Sequence, residues 1–214
     1  MFETSPLRQV SFRHLYIGSV AVALGYTMQA TVAAWLMATL TPSALMVALV
    51  QTASTAPSLL FGLLAGSLAD IFDRRRIILA TQLILLVATA TLGVAALIGM
   101  LGPVSLLAGT FLIGAGFTLY LPAQQASIND LVGRAELPRA LGLGAVAFNI
   151  ARAAGPALAG ALAAWLGSGS ALLASALFFV AMIVALRSWH SPRHAIPGVP
   201  GPPLEGPGVA RRRE

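Results

Sequence analysis

Cysteine is absent from this chain and so is lysine; the 13 basic residues other than histidine are all arginine. Without cysteine there is no disulfide, no thiol nucleophile and no thiolate-ligated metal. Charge is scarce as well. Asp, Glu, Lys and Arg make up 9% of the residues, where a soluble domain carries roughly 25%. Against that, 57% of the chain is hydrophobic and the mean hydropathy is +0.85. Too little polar surface is present to cover a water-soluble globule. No charge falls between Leu15 and Ala69, or between Ile77 and Asn129. Both stretches exceed the roughly 20 residues that cross a hydrocarbon core as a helix. The sequence therefore describes a polytopic, all-α membrane protein whose first partner is the lipid bilayer.

The net charge of +6 does not point to nucleic acid. Every basic residue except Arg152 lies outside an apolar run or at its edge, and no aromatics alternate with arginines as on a single-strand-binding surface. Nor is the N-terminus a cleavable signal, because its apolar run far exceeds an h-region of roughly 7–15 residues.

Turn residues divide the apolar region into six spans. The first runs from about Leu15 to Leu40, where Pro42 stops the helix, and the second from about Ala44 to Ala69. The third runs from the arginines to about Met100, the fourth from Val104 to Tyr120 with Pro122 just beyond, and the fifth from Pro138 to Leu166. "GSGS" (Gly167 to Ser170) leads into the sixth, ending at Arg187. Arginines gather before span one, in the second and fourth loops and after span six, while loops one, three and five are uncharged. Basic residues mark the cytoplasmic side, so both termini are expected there, and an even number of spans fits. The expected organisation is a cytoplasmic N-terminus over residues 1–14, a six-helix bundle over 15–187 and a tail over 188–214. That tail is rich in Pro and Gly and reads as a disordered linker, or as a lipid-binding end through "RRRE".

The charges concentrate in "GSLADIFDRRRIIL", residues 66–79. Arg74, Arg75 and Arg76 alone would serve to hold this loop inside. Asp70, however, stands at the C-terminal end of span two, against the negative end of the helix dipole, and the arginines open span three at the wrong pole. Charges so placed call for a partner, either each other or another helix end. Arg152 lies roughly 20 Å along a helix from Arg139, at about 1.5 Å per residue, well inside the membrane. An unpaired arginine there costs about 3 kcal/mol or more, so it either snorkels or faces a polar cavity. Asn149 shares its face. In span one Tyr26 and Gln29 share a face and either line the same cavity or pack between helices.

Gly66, Asp70, Arg74 and Arg75 match the signature G-x-x-x-D-(R/K)-x-G-(R/K)-(R/K), and here the chain resembles the major facilitator superfamily. Ile71 stands where that signature has a basic residue and Asp73 where it has a glycine. "RAAGPALAG" (Arg152 to Gly160) is similar to the family's antiporter motif G-x-x-x-G-P-x-x-G-G at Gly155, Pro156 and Gly160. The branch that the loop resembles is that of exporters similar to the enterobactin exporter. The resemblance, which covers about Phe12 to Trp189, implies two inverted three-helix repeats forming one half of a twelve-helix fold. It further implies a cytoplasmic gate at Gly66, Asp70, Asp73, Arg74 and Arg75, a close-packed helix at Gly155, Pro156 and Gly160, and a substrate cavity at Arg152, Asn149, Gln29 and Tyr26.

By the same resemblance the chain is a secondary active exporter of drugs, siderophores or metabolites in the bacterial inner membrane. It needs no cofactor beyond a proton gradient as energy source. Its expected partner is a missing C-terminal half or a second copy of the chain; a non-transporting scaffold or truncated remnant is the alternative. An intramembrane serine protease is excluded by placement. His14, His190 and His194 fall on the cytoplasmic side, whereas Ser168 and Ser170 fall outside.

Overall fold

The computed structural model describes residues 10–132 and 135–187, with Asp70 described by its backbone alone. The tail, the first nine residues and the side chain of the expected gate aspartate Asp70 lie outside the described residues. Six helices follow one another: α1 (Val10–Leu40), α2 (Ala44–Ile71), α3 (Arg74–Leu97), α4 (Pro103–Leu131), α5 (Leu137–Leu166) and α6 (Ser168–Arg187). All six are long and apolar enough to cross a membrane, and no strand occurs among the described residues.

Two boundaries differ from the sequence reading. Helix α1 begins at Val10 rather than near Leu15, which brings Phe12 into the buried core. Pro122 does not end the fourth span, for α4 continues through it to Leu131. A mid-helix proline removes one backbone hydrogen bond, and packed neighbours in a membrane bundle tolerate that loss. Pro57 and Pro156 likewise lie inside α2 and α5.

Local chemistry fixes the helix starts. The Ser43 hydroxyl accepts from the Met46 N–H at the head of α2. At the head of α3 the Asp73 carboxylate accepts from the N–H groups of Arg75 (2.9 Å) and Arg76 (3.4 Å), two of the donors that a helix start leaves unpaired. On the opposite end of the bundle Gly167 alone joins α5 to α6. Its φ of +84° is one that a residue with a Cβ adopts only with strain.

The packing has an internal symmetry. Helix α2 lies on α4 as α5 lies on α1, α3 lies on α4 as α6 lies on α1, and α3 and α6 lie on each other. Exchanging α1 with α4, α2 with α5 and α3 with α6 leaves this pattern unchanged. Successive spans alternate in direction, so the exchanged helices run oppositely, as in two inverted three-helix repeats. Met28, Leu106, Ile113, Leu172, Phe179 and Met182 fill the centre and are fully buried. Backbones come close where glycine allows it. A Cβ on Gly114 of α4 would meet the Ser54 carbonyl of α2, and one on Gly155 of α5 would meet the Thr27 hydroxyl of α1. The central stretches of α2 and α5 are roughly half as buried as those of the other four helices. Leu59 and Leu63 of α2 are about 90% exposed.

Candidate functional site

Helix α1 starts, α4 ends and α5 starts at one end of the bundle, the end that carries Arg74 to Arg76 and Arg139. Between these three helices, toward that end, lies a cavity of about 410 Å³. This falls within the roughly 300–1,000 Å³ of small-molecule sites. Its walls are mainly apolar and aromatic, with Phe12, Phe117 and Phe148 among them. Three of its polar side chains form one connected group, and the Gln125 amide lines it beside them. Ser19 Oγ accepts from Tyr120 Oη at 3.3 Å and from Gln124 Nε2 at 3.0 Å, and itself donates to the Leu15 carbonyl at 2.7 Å. Tyr16 Oη donates to the Leu143 carbonyl at 3.3 Å, tying α1 to α5 on another side of the cavity. No lining residue carries a charge.

The sequence-predicted cavity residues are distributed around this space rather than gathered in it. Tyr26 stacks on Phe117, with centroids 3.9 Å apart and planes at 9°, so it backs a cavity wall. Its hydroxyl reaches the Ser54 carbonyl at 3.5 Å. Gln29 is buried, and its Nε2 has no partner among the described residues. Asn149 is exposed and donates to the Ala145 carbonyl one turn back. Arg152 is exposed on α5, with its guanidinium 6.0 Å from the centroid of Phe148, whose ring lines the cavity. A cation at that distance over a ring face is weakly attracted. None of Tyr26, Gln29, Asn149 and Arg152 lines the cavity itself.

The charged loop lies at the mouth end. Arg74 pairs with Asp130 near the end of α4 and also donates to the Ala126 carbonyl at 3.2 Å. The arginine placed against the dipole of its own helix is thus held by the last turns of another, and Asp73 offsets the rest by capping. Arg75 uses its backbone N–H on Asp73, and its Nε is buried with no partner among the described residues. Gly66 is half-buried, with open space where a Cβ would stand. In the span-five motif Gly155 makes the close contact with α1, while Pro156 is exposed. Gly160 borders a smaller groove with Thr31 and Trp35.

Sequence reasoning missed Ser19, Tyr120 and Gln124, which meet across more than a hundred residues of chain. The available signal was that each is a polar interruption of an apolar run. Among the described residues no three His, Asp or Glu side chains come together as metal ligands would. Ser168 opens α6 at the opposite end of the bundle from His14 on α1, which keeps the two apart.

Six spanning helices arranged as paired three-helix repeats around an off-centre cavity define a multi-pass membrane protein of transporter type. A family model of the major facilitator superfamily, described as transmembrane secretion effector, matches residues 2–198, and the chain belongs to that family. A comparison with curated proteins gives no match. The family is one of membrane transporters, not of enzymes.

Proposed function

We propose that the chain is the N-terminal half of a secondary active exporter that works by alternating access in the bacterial inner membrane, with both termini cytoplasmic. The observation that carries this reading is the cavity between α1, α4 and α5, placed at the arginine-bearing end beside the Arg74–Asp130 pair. By the distribution of basic residues that end is cytoplasmic. A substrate entering from the cytoplasm or the inner leaflet would meet this space first. The loop around Asp73 and Arg74 stands where a gate would act, and the proton gradient is the energy source.

The second half, or a second copy, covers the face formed by α2 and α5. Gln51 and Thr55 on α2 and Asn149 and Arg152 on α5 are exposed within the spans. Hydrocarbon does not accommodate such groups well, so protein or a water-filled passage must face them. Drugs, siderophores and amphipathic metabolites fit the reading as substrate classes.

Dye efflux in membrane vesicles carrying the complete transporter, this chain together with its second half, tests it. Arg152→Ala is expected to abolish efflux while leaving membrane insertion intact. Efflux that survives Arg152→Ala would contradict the role given to Arg152, whereas no efflux from the unaltered transporter would favour a scaffold, for which neither Arg152 nor Asp70 is needed.

A further inference from the structure

We infer that the cavity selects an uncharged amphiphile with an aromatic body and a hydrogen-bonding group, held by the amide of Gln124. This rests on the reading of the cavity as the transport site and adds its substrate class.

The walls set the body of the ligand. Phe12, Phe117 and Phe148 border the space, with Phe12 and Phe117 largely buried and Phe117 stacked on Tyr26, and such a fixed aromatic lining favours a flat or aromatic partner over a flexible chain. The polar group sets its head. Ser19 Oγ already accepts two hydrogen bonds and donates one, so it has little left for a ligand. The Tyr16 hydroxyl proton is used on Leu143. Gln124 spends one N–H on Ser19, which fixes its amide in place, and no described residue takes its second N–H or its carbonyl. A pinned amide with one donor and one acceptor to spare recognises a carbonyl, hydroxyl or amide.

Charge decides the rest. No described lining residue carries a charge that could compensate an ammonium group. The Arg152 guanidinium, 6.0 Å from the centroid of the lining residue Phe148, is a positive charge close to the cavity and repels one. Asp130, two residues beyond the lining residue Ile128, is engaged by Arg74. A carboxylate ligand would give up its hydration for the neutral amides of Gln124 and Gln125.

Three photoreactive probes with one aromatic core separate these cases: benzophenone (neutral), 4-benzoylbenzoate (anion) and (4-benzoylbenzyl)trimethylammonium (cation). Each is irradiated with the full chain in lipid nanodiscs, and the labelled peptides are located by mass spectrometry. Benzophenone is expected to label α1, α4 and α5 at the cavity saturably, more than about ten-fold above either ion. Gln124→Met should weaken that labelling about five-fold, the worth of one net hydrogen bond. Gln124→Glu should bring in the cationic probe, a gain that misfolding cannot imitate.

Equal labelling of the cavity by the cation or the anion in the unaltered chain overturns the inference. So does labelling confined to outward residues such as Leu59 and Leu63. Dye efflux together with an unlabelled cavity sinks this inference and leaves the transport reading standing. A saturably labelled cavity in vesicles without efflux does the reverse.

Discussion

The hydroxyl of Thr27 on α1 stands 3.1 Å from the carbonyl of Ala151 on α5, sharing its one proton with the Ala23 carbonyl of its own helix at 2.9 Å, and it occupies the space that a Cβ on Gly155 would need. One side chain thus bonds two helices and requires glycine one turn further along. Gly155→Ala is expected to destabilise the purified protein by about 1–3 kcal/mol, the usual cost of overpacking. Thr27→Ala should recover most of that loss in the double variant, because it removes the colliding group. Thermal unfolding in detergent of the four proteins in this cycle measures it. Strictly additive effects would mean that the two residues do not meet.

Asp73 stands where the family signature has glycine, and its carboxylate caps α3. Asp73→Ala should cost about 1 kcal/mol of stability and Asp73→Asn much less, since the amide oxygen still accepts from Arg75. Chemical denaturation of the three proteins side by side measures it. Equal losses from both substitutions would assign the effect to charge rather than to the cap.

The Arg74–Asp130 pair is partly exposed, with 22% and 35% of the two side chains accessible. Solvent screens such a pair, and Asp130→Asn should therefore cost less than about 1 kcal/mol. Transport should fall by far more than stability does, since the pair ties the loop after α2 to the end of α4. Arg74→Lys should keep much of the function, because both contacts, to Asp130 and to the Ala126 carbonyl, leave from the single nitrogen Nη1, and an ammonium carries three donors. Parallel melting and efflux measurements separate the two effects; a loss of stability as large as the loss of efflux would make the pair merely structural.

The six spans were legible because each is a long apolar run between turn residues, and the hydrocarbon core imposes that length whatever the tertiary packing. The pairing of Arg74 was legible as a need, from charges set against their helix dipole, but its partner was not. Asp130 lies 56 residues away and meets Arg74 only once α3 packs on α4. The cavity between α1, α4 and α5 was not legible, for a traceable reason. Reading Pro122 as a stop assigned Gln124 and Gln125 to a loop, whereas α4 carries both onto a cavity wall. Arg152 drew attention by its cost in the membrane; its guanidinium stands 6.0 Å from the centroid of Phe148 and is not among the groups that line the cavity between α1, α4 and α5. Ser19, by contrast, looks like any small hydroxyl in a membrane helix until Tyr120 and Gln124 are brought to it.

Alternating access requires that the cavity between α1, α4 and α5 open to both sides of the membrane in turn. Gly144 lines it, has open space for a side chain, and sits in a chain that contains no cysteine of its own. The direct measurement is labelling of Gly144→Cys by a membrane-impermeant maleimide, in inside-out and in right-side-out vesicles carrying the complete transporter, this chain together with its second half. Alternating access predicts labelling from both sides, faster from the cytoplasmic face. Labelling from one side only, or from neither, would contradict it.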